Sequence, residues 1–195
     1  AVTFNDDNGN AQTLTRSYIV TVNADIGSSS GTEYTKVTST SDLTEGDGYL
    51  IIYSNKNLVT KEIKTTSNRT GLIADTAVDE AGNEKITSDH GDSEWTLESN
   101  GDGKWYLKKG SDYLKLATTT DYTASFVSNK SSGTAFNINK NGEYFNFSYN
   151  SNNNRMQFST NRNLVYGYDS RASTTDFYIY KKTSSASSGI TATIK

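Results

Sequence analysis

Polar and apolar residues alternate along most of this chain with the two-residue period of half-buried strands. Three segments are clearest: Trp95-Thr-Leu97, Phe136-Asn-Ile138 and Phe177-Tyr-Ile179, each an aromatic, a polar residue and an aliphatic, falling 41 residues apart twice over. The first two continue alike: WTLESNGDGKWYL and FNINKNGEYFNF are both strand, Asn-Gly turn, strand. A fixed period marks a repeated supersecondary unit. Residues 34–182 divide into three units of four strands. The first holds Gly48–Tyr53, Asn57–Thr60, a vaguer stretch through Leu72, Ile73 and Ile86, and Trp95–Leu97. The second holds Trp105–Leu107, Tyr113–Leu116, Ala124–Val127 and Phe136–Ile138, and the third holds Tyr144–Phe147, Arg155–Phe158, Leu164–Tyr166 and Phe177–Ile179. Three such units predict an all-β, β-trefoil-like barrel, in which six strands close and six cap it. Phe145 and Phe147 are expected to face inward, since they alternate with Tyr144, Asn146 and Ser148. Residues 64–92 carry weak strand signals with Asp75, Asp79, Glu80, Asp89 and Asp92, and are expected to form a long acidic loop. No apolar pattern of period 3.6 appears, so almost no helix is expected.

The ends follow a different pattern. Residues 1–24 read as a β-hairpin, Val2–Phe4 and Leu14–Val22 joined by Asn5–Asn10. An isolated hairpin is marginal in water and needs a surface to pack on. Residues 25–33, with Gly27-Ser-Ser-Ser-Gly31, read as a linker. Residues 183–195 are a Ser-rich linker ending in the strand-like Ile190–Ile194. A hairpin and a lone strand beyond linkers could satisfy their edges on a neighbouring copy, head to tail, as in a fibre or surface layer. Copies of this chain, through residues 1–24 and 190–195, are therefore one expected partner.

Composition narrows the chemistry. Apolar residues make up 33% of the chain, and 13 Tyr and 7 Phe supply much of the material for a core. There is no Cys, which removes disulfides and thiolate metal sites, and no Pro, which leaves turns to Gly, Asn and Asp. A net charge of −3 offers no general attraction to nucleic acid or anionic lipid. No apolar run is long enough to span a membrane as a helix.

Catalytic signals are sparse. Ser-His chemistry needs a histidine, and the single one, His90, lies in the turn-like Ser88-Asp-His-Gly-Asp92. One His also disfavours zinc. Glu45, Asp47, Asp102, Asp112 and Asp121 are scattered through turns, with no two marked as a glycosidase pair. Asp6-Asp-Asn-Gly-Asn10 has the alternating oxygens that open a calcium loop but lacks the distal Glu, and a hairpin turn explains the same residues. No enzyme activity, cofactor or metal is expected.

The third unit is the candidate binding surface. Arg155, Arg162 and Arg171, three of the five arginines, fall within 17 residues, with Tyr166 and Tyr168 among them and Asn153 nearby. Aromatic faces stack on sugars or bases, and Arg and Asn donate to hydroxyls or phosphates. Tyr113 and Tyr122 are the weaker equivalents in the second unit. This mixture suits a glycan or another extracellular ligand better than nucleic acid. The same alternation also fits one face of a strand with solvated arginines around it.

Residues 34–182 also resemble a known kind of module. Tyr34-Thr-Lys-Val-Thr-Ser-Thr-Ser-Asp-Leu-Thr-Glu-Gly-Asp-Gly-Tyr-Leu-Ile-Ile-Tyr53, Tyr149-Asn-Ser-Asn-Asn-Asn-Arg-Met-Gln-Phe158 and Phe177-Tyr-Ile-Tyr-Lys-Lys182 resemble the opening, middle and end of accessory β modules in large secreted bacterial proteins. Such modules accompany extracellular nucleases, glycosidases and immunoglobulin-like repeats. Residues 1–24 resemble the end of an immunoglobulin-like or chitobiase C-terminal-type domain. The resemblance rests on core and turn residues and implies a non-catalytic module at the cell surface or outside the cell. The Gln-x-Trp repeat of ricin-like trefoils is missing, so no sugar-binding residue transfers from them.

Overall fold

A computed structural model of the chain describes residues 2–14, 31–117, 122–150, 154–168 and 174–183. Strands β1 (Val2–Asn5), β2 (Ala11–Leu14) and β3 (Thr32–Lys36) precede the repeat. The first unit holds β4 (Gly48–Tyr53), β5 (Leu58–Val59), β6 (Ile63–Thr66), β7 (Arg69–Ile73), β8 (Thr76–Ala77), β9 (Lys85–Ser88) and β10 (Trp95–Ser99). The second holds β11 (Trp105–Lys109), β12 (Asp112–Leu116), β13 (Ala124–Val127) and β14 (Ala135–Asn141). The third holds β15 (Tyr144–Tyr149), β16 (Asn154–Ser159), β17 (Leu164–Tyr168) and β18 (Phe177–Lys182).

Six strands close an antiparallel barrel in the order β4-β10-β11-β14-β15-β18, with β18 pairing back onto β4. They are the first and last strands of each unit, so the 41-residue period of the sequence is the period of the barrel wall. Alternate residues fill the interior: Tyr49, Ile51 and Tyr53 from β4, Trp95 and Leu97 from β10, Phe136 and Ile138 from β14, Phe145, Phe147 and Tyr149 from β15. Phe145 and Phe147 face inward, as their alternation predicts. Each fully buried apolar side chain contributes about 1.5–3 kcal/mol of transfer free energy. The indole Nε1 of buried Trp95 donates to Thr60 Oγ1 at 3.0 Å, and that hydroxyl donates to the Ile51 carbonyl at 3.0 Å, so no polar atom of the pair is stranded.

Hairpins β12–β13, β16–β17 and β6–β7 cap one end. Strand β17 also pairs with β7, which joins the third unit to the first. Gly71 permits that approach, since a Cβ there would lie 2.6 Å from the Val165 carbonyl oxygen.

The structure departs from expectation in residues 64–92, which form β7, β8, β9 and part of β6 rather than an acidic loop. The β6–β7 turn has Ser67 and Asn68 at φ of 49° and 61°, the geometry usually announced by Asn-Gly. Strand β9 pairs with β3, and β3 lies against β18 outside the barrel. This added layer covers the outward face of β4: Leu50 and Ile52 pack with Tyr34, Val59, Val78, Ile86 and Tyr180 in a second core. It explains why Tyr49–Tyr53 breaks alternation with five buried residues in succession.

The N-terminal hairpin begins its second strand at Ala11, earlier than the alternation predicts. Asp6 closes the turn by accepting from the backbone N–H of Asn8 at 3.0 Å and of Asn10 at 2.8 Å. β1 and β2 pair with one another and with no other described strand. The expected strand beyond Leu14, most of the linker and Ile190–Ile194 lie outside the described residues. Helical structure among the described residues is three short 3-10 turns.

Candidate functional site

The predicted third-unit residues separate in space. Tyr166 and Tyr168 project from β17 and meet Tyr122, which reaches across from the β12–β13 connection of the second unit. The Tyr122 and Tyr168 rings stack at 4.9 Å and 19°, and Tyr166 meets Tyr122 edge-on at 5.6 Å. The Arg69 guanidinium, from the first unit, lies 3.8 Å from the Tyr122 ring centroid. All three units therefore contribute to one aromatic cluster at the cap, underlain by Leu164 and Ile73. Tyr166 is 8% exposed, and the cluster's rings are spent largely on one another. Gly167 lies between the two tyrosines because Tyr149 runs beneath it: a Cβ there would stand 1.8 Å from the Tyr149 hydroxyl. That hydroxyl donates to the Ala117 carbonyl at 2.6 Å, and burial pushes the phenol up to about 12.

The other candidates lie elsewhere. Arg155 stands opposite Tyr168 across the β16–β17 pair. Arg162 is in the turn of that hairpin, its buried Nε without a partner among the described residues. Asn153 and Arg171 lie outside the described residues. Tyr113 is remote from Tyr122's cluster in its contacts: its hydroxyl donates to Glu98 Oε2 at 2.9 Å, and its ring packs edge-on against Tyr106. Lys130 lies 2.7 Å and Lys108 3.6 Å from the same carboxylate. The hydrogen bond from Lys130 leads in holding the Glu98 carboxyl below its usual range, and Glu98 in turn raises both Tyr113 and Lys130. This is a self-paired surface network. His90 is partly buried in its turn, its Nδ1 3.3 Å from Asp89.

Sequence reasoning passed over a polar pocket of about 260 Å³ at the seam between the third and first units. It is lined by Tyr53, Ser54, Asn55, Tyr144, Thr174 and Asp176. Asp176 Oδ1 accepts from Asn146 Nδ2 at 2.8 Å and Asn141 Nδ2 at 3.3 Å. Ser54 fixes the backbone below by donating from N–H and Oγ to the Asp176 carbonyl at 3.1 and 2.8 Å. The carboxylate is thus oriented while Oδ2 accepts no hydrogen bond from any described residue. No described Lys or Arg forms an ion pair with it. Asn55 is exposed and Tyr144 half-buried. A signal for this site was present in the period: Glu94, Ala135 and Asp176 each precede a repeat aromatic and are themselves 41 residues apart.

No family model matches this chain, and no curated protein matches it in sequence. Among solved structures, the BEL β-trefoil in an apo crystal form is similar with a TM-score of 0.50 over 72% of this chain and 95% of that one, at 9% identity. The fold is β-trefoil-like. A GH43 β-1,3-galactosidase is similar with a TM-score of 0.47 and 14% identity over 75% of this chain. The match spans 29% of the galactosidase's length.

Proposed function

We propose that this chain is a non-catalytic glycan-binding module of a secreted or surface-attached bacterial protein, and that the Asp176 seam is its binding site. The observation that carries this reading is the arrangement around Asp176. One carboxylate oxygen is pinned by two asparagine amides, the other is open, and a tyrosine and an exposed asparagine share the pocket. A sugar ring presents hydroxyls, which an oriented carboxylate and an amide bind with charge-assisted hydrogen bonds, and an apolar face, which packs on an aromatic ring. The volume suits one ring rather than a long chain in a cleft. Asp176 is the one carboxylate in the lining, whereas glycoside hydrolysis ordinarily uses a pair. The resemblance of residues 34–182 to accessory modules of secreted proteins supports the same assignment.

The test is a glycan array followed by calorimetry on the wild type, Asp176→Asn and Tyr144→Ala. At least one glycan should bind, with affinity falling about tenfold or more in Asp176→Asn, the loss expected for one charge-assisted contact. Wild-type affinity in Asp176→Asn, or no glycan bound by the wild type, overturns the reading. Tyr166→Ala with Tyr168→Ala asks the same question of the tyrosine cap.

A second reading, assembly by exchange of terminal strands, draws support from two observations. The β1–β2 hairpin pairs with no strand of the barrel, and β9 is paired on one side only among the described residues. Light scattering of the full chain over a range of concentrations tests it. Growth with concentration favours it, and a monomer throughout removes it.

A further inference from the structure

The three seams between units occupy equivalent places in the repeat, and the strand register aligns them residue by residue. Phe145 pairs with Phe177, Trp105 with Phe136, and Tyr49 with Trp95. The residues that precede the members of each pair, Tyr144 and Asp176, Lys104 and Ala135, Gly48 and Glu94, then hold equivalent places in the repeat. At the seam between the second and third units the carboxylate is thus replaced by a methyl group and the tyrosine by an ammonium. A pocket remains there, about 320 Å³, lined by Lys104, Lys115, Ser132, Thr134, Tyr149 and Asn150 among others. Its lining contains no acidic residue. Neither Lys104 nor Lys115 forms an ion pair with a described carboxylate. Both strands beneath are fixed: Thr134 Oγ1 accepts from the Leu116 N–H at 2.8 Å, and the Thr134 N–H donates to the Leu114 carbonyl at 2.9 Å.

We infer that this seam is a second glycan subsite, which takes the anionic group of an acidic sugar, a sulfate or a carboxylate. Two lysines in the lining of a pocket that has no acidic residue favour an anion. The Ser132 hydroxyl and the Asn150 amide of the lining can hydrogen-bond its oxygens or the neighbouring hydroxyls. The inference rests on the glycan reading above but uses different residues, so the two fail separately.

The experiment is calorimetry on the full chain with a sulfated oligosaccharide, an oligogalacturonate, their neutral counterparts and inorganic sulfate. The proteins are the wild type, Lys104→Gln with Lys115→Gln, and Asp176→Asn. Both lysines are at the surface, and unchanged thermal unfolding confirms that the variant is folded. One acidic oligosaccharide should bind the wild type more tightly than its neutral counterpart, weakening with salt. The double lysine variant should lose about tenfold in that affinity, the combined contribution of two exposed charge pairs, while Asp176→Asn leaves the acidic preference intact. Equal affinity for acidic and neutral forms, no effect of the lysine changes, or inorganic sulfate competing as well as the sugar would each overturn the inference. Loss of neutral glycan binding in Asp176→Asn alone would leave this subsite standing.

Discussion

Glu94 and Asp176 hold the same place in the repeat, and the fold treats them in opposite ways. At the seam of the first and second units, Glu94 Oε1 accepts from the buried Tyr34 hydroxyl at 2.5 Å and lies 2.8 Å from Lys182 Nζ. Tyr34 comes from β3, the strand added outside the barrel, and Glu94 leans over Gly48, which has no side chain to resist it. That seam is closed by the protein's own phenol and ammonium. At the seam of the third and first units β3 pairs only with the far end of β18, from Tyr180 to Lys182, and Asp176 Oδ2 accepts from no described residue in its pocket. The same chemical group is thus ion-paired from within at one seam, and at the other is held by neutral amides with no counter-cation among the described residues. The seam between them in the repeat, with Ala135 and Lys104, has exchanged the carboxylate for a cation.

The comparison can be broken from several sides. The largest effect should come from the cap, which serves as its reference. Tyr166→Ala with Tyr168→Ala removes a buried and a half-buried ring from the junction of three hairpins and should cost about 3 kcal/mol. Chemical denaturation reads this, and binding at the Asp176 seam should persist in the folded fraction. Glu94→Ala comes next, at about 2 kcal/mol, because it strands the buried Tyr34 hydroxyl. Tyr34→Phe, which leaves Glu94 its lysine, should cost about 1 kcal/mol. By contrast Asp176→Asn should change stability by less than about 1 kcal/mol, since its partners are half-exposed amides, while it weakens glycan binding. Equal stability losses at Glu94 and Asp176 would show that the two seams are not divided as described.

Alkali offers a softer probe of the same division. Burial first, and then the hydrogen bond to Glu94, push the Tyr34 phenol upward. Burial pushes Tyr149, beneath Gly167, from 10.0 up to about 12. Both hold their protons more tightly in the folded state than in the unfolded chain. Their contribution is therefore complete below pH 10 and fades as pH rises through the folded value, about 12 for Tyr149. Denaturant midpoints should fall across that window, with phenolate absorbance rising in step. Tyr34→Phe should flatten the fall, and Asp176→Asn should not alter it.

Much of the fold was legible because strand alternation and the 41-residue spacing are local. The aromatic-polar-aliphatic segments became β10, β14 and β18, and the Asn-Gly turns lead into β11 and β15. Strand β7 showed only as the vaguer stretch at Leu72 and Ile73, and its pairing with β6 was not read, because Ser67-Asn68 adopts a mirror-image turn without the glycine that usually signals it. At the cap, Tyr122, Tyr166 and Tyr168 were legible as aromatics, but Arg69 was not, since it arrives from a different unit. Tyr113 looked like Tyr122's companion and instead turns to Glu98. Asp176 sat among many turn acids with nothing local to mark it.

The sequence by itself determined a three-unit β barrel and its inward-facing aromatics. Period and alternation suffice for that, because burial of one face of a strand is decided by its own residues. Which seam residue gains a cation from the protein was decided only by the tertiary structure. Glu94 is held by a tyrosine 60 residues away and by Lys182, and Asp176 is steadied by amides 30 and 35 residues away. Long-range partners of that kind leave no periodic trace in the chain, since each is set by the packing of one unit against the next.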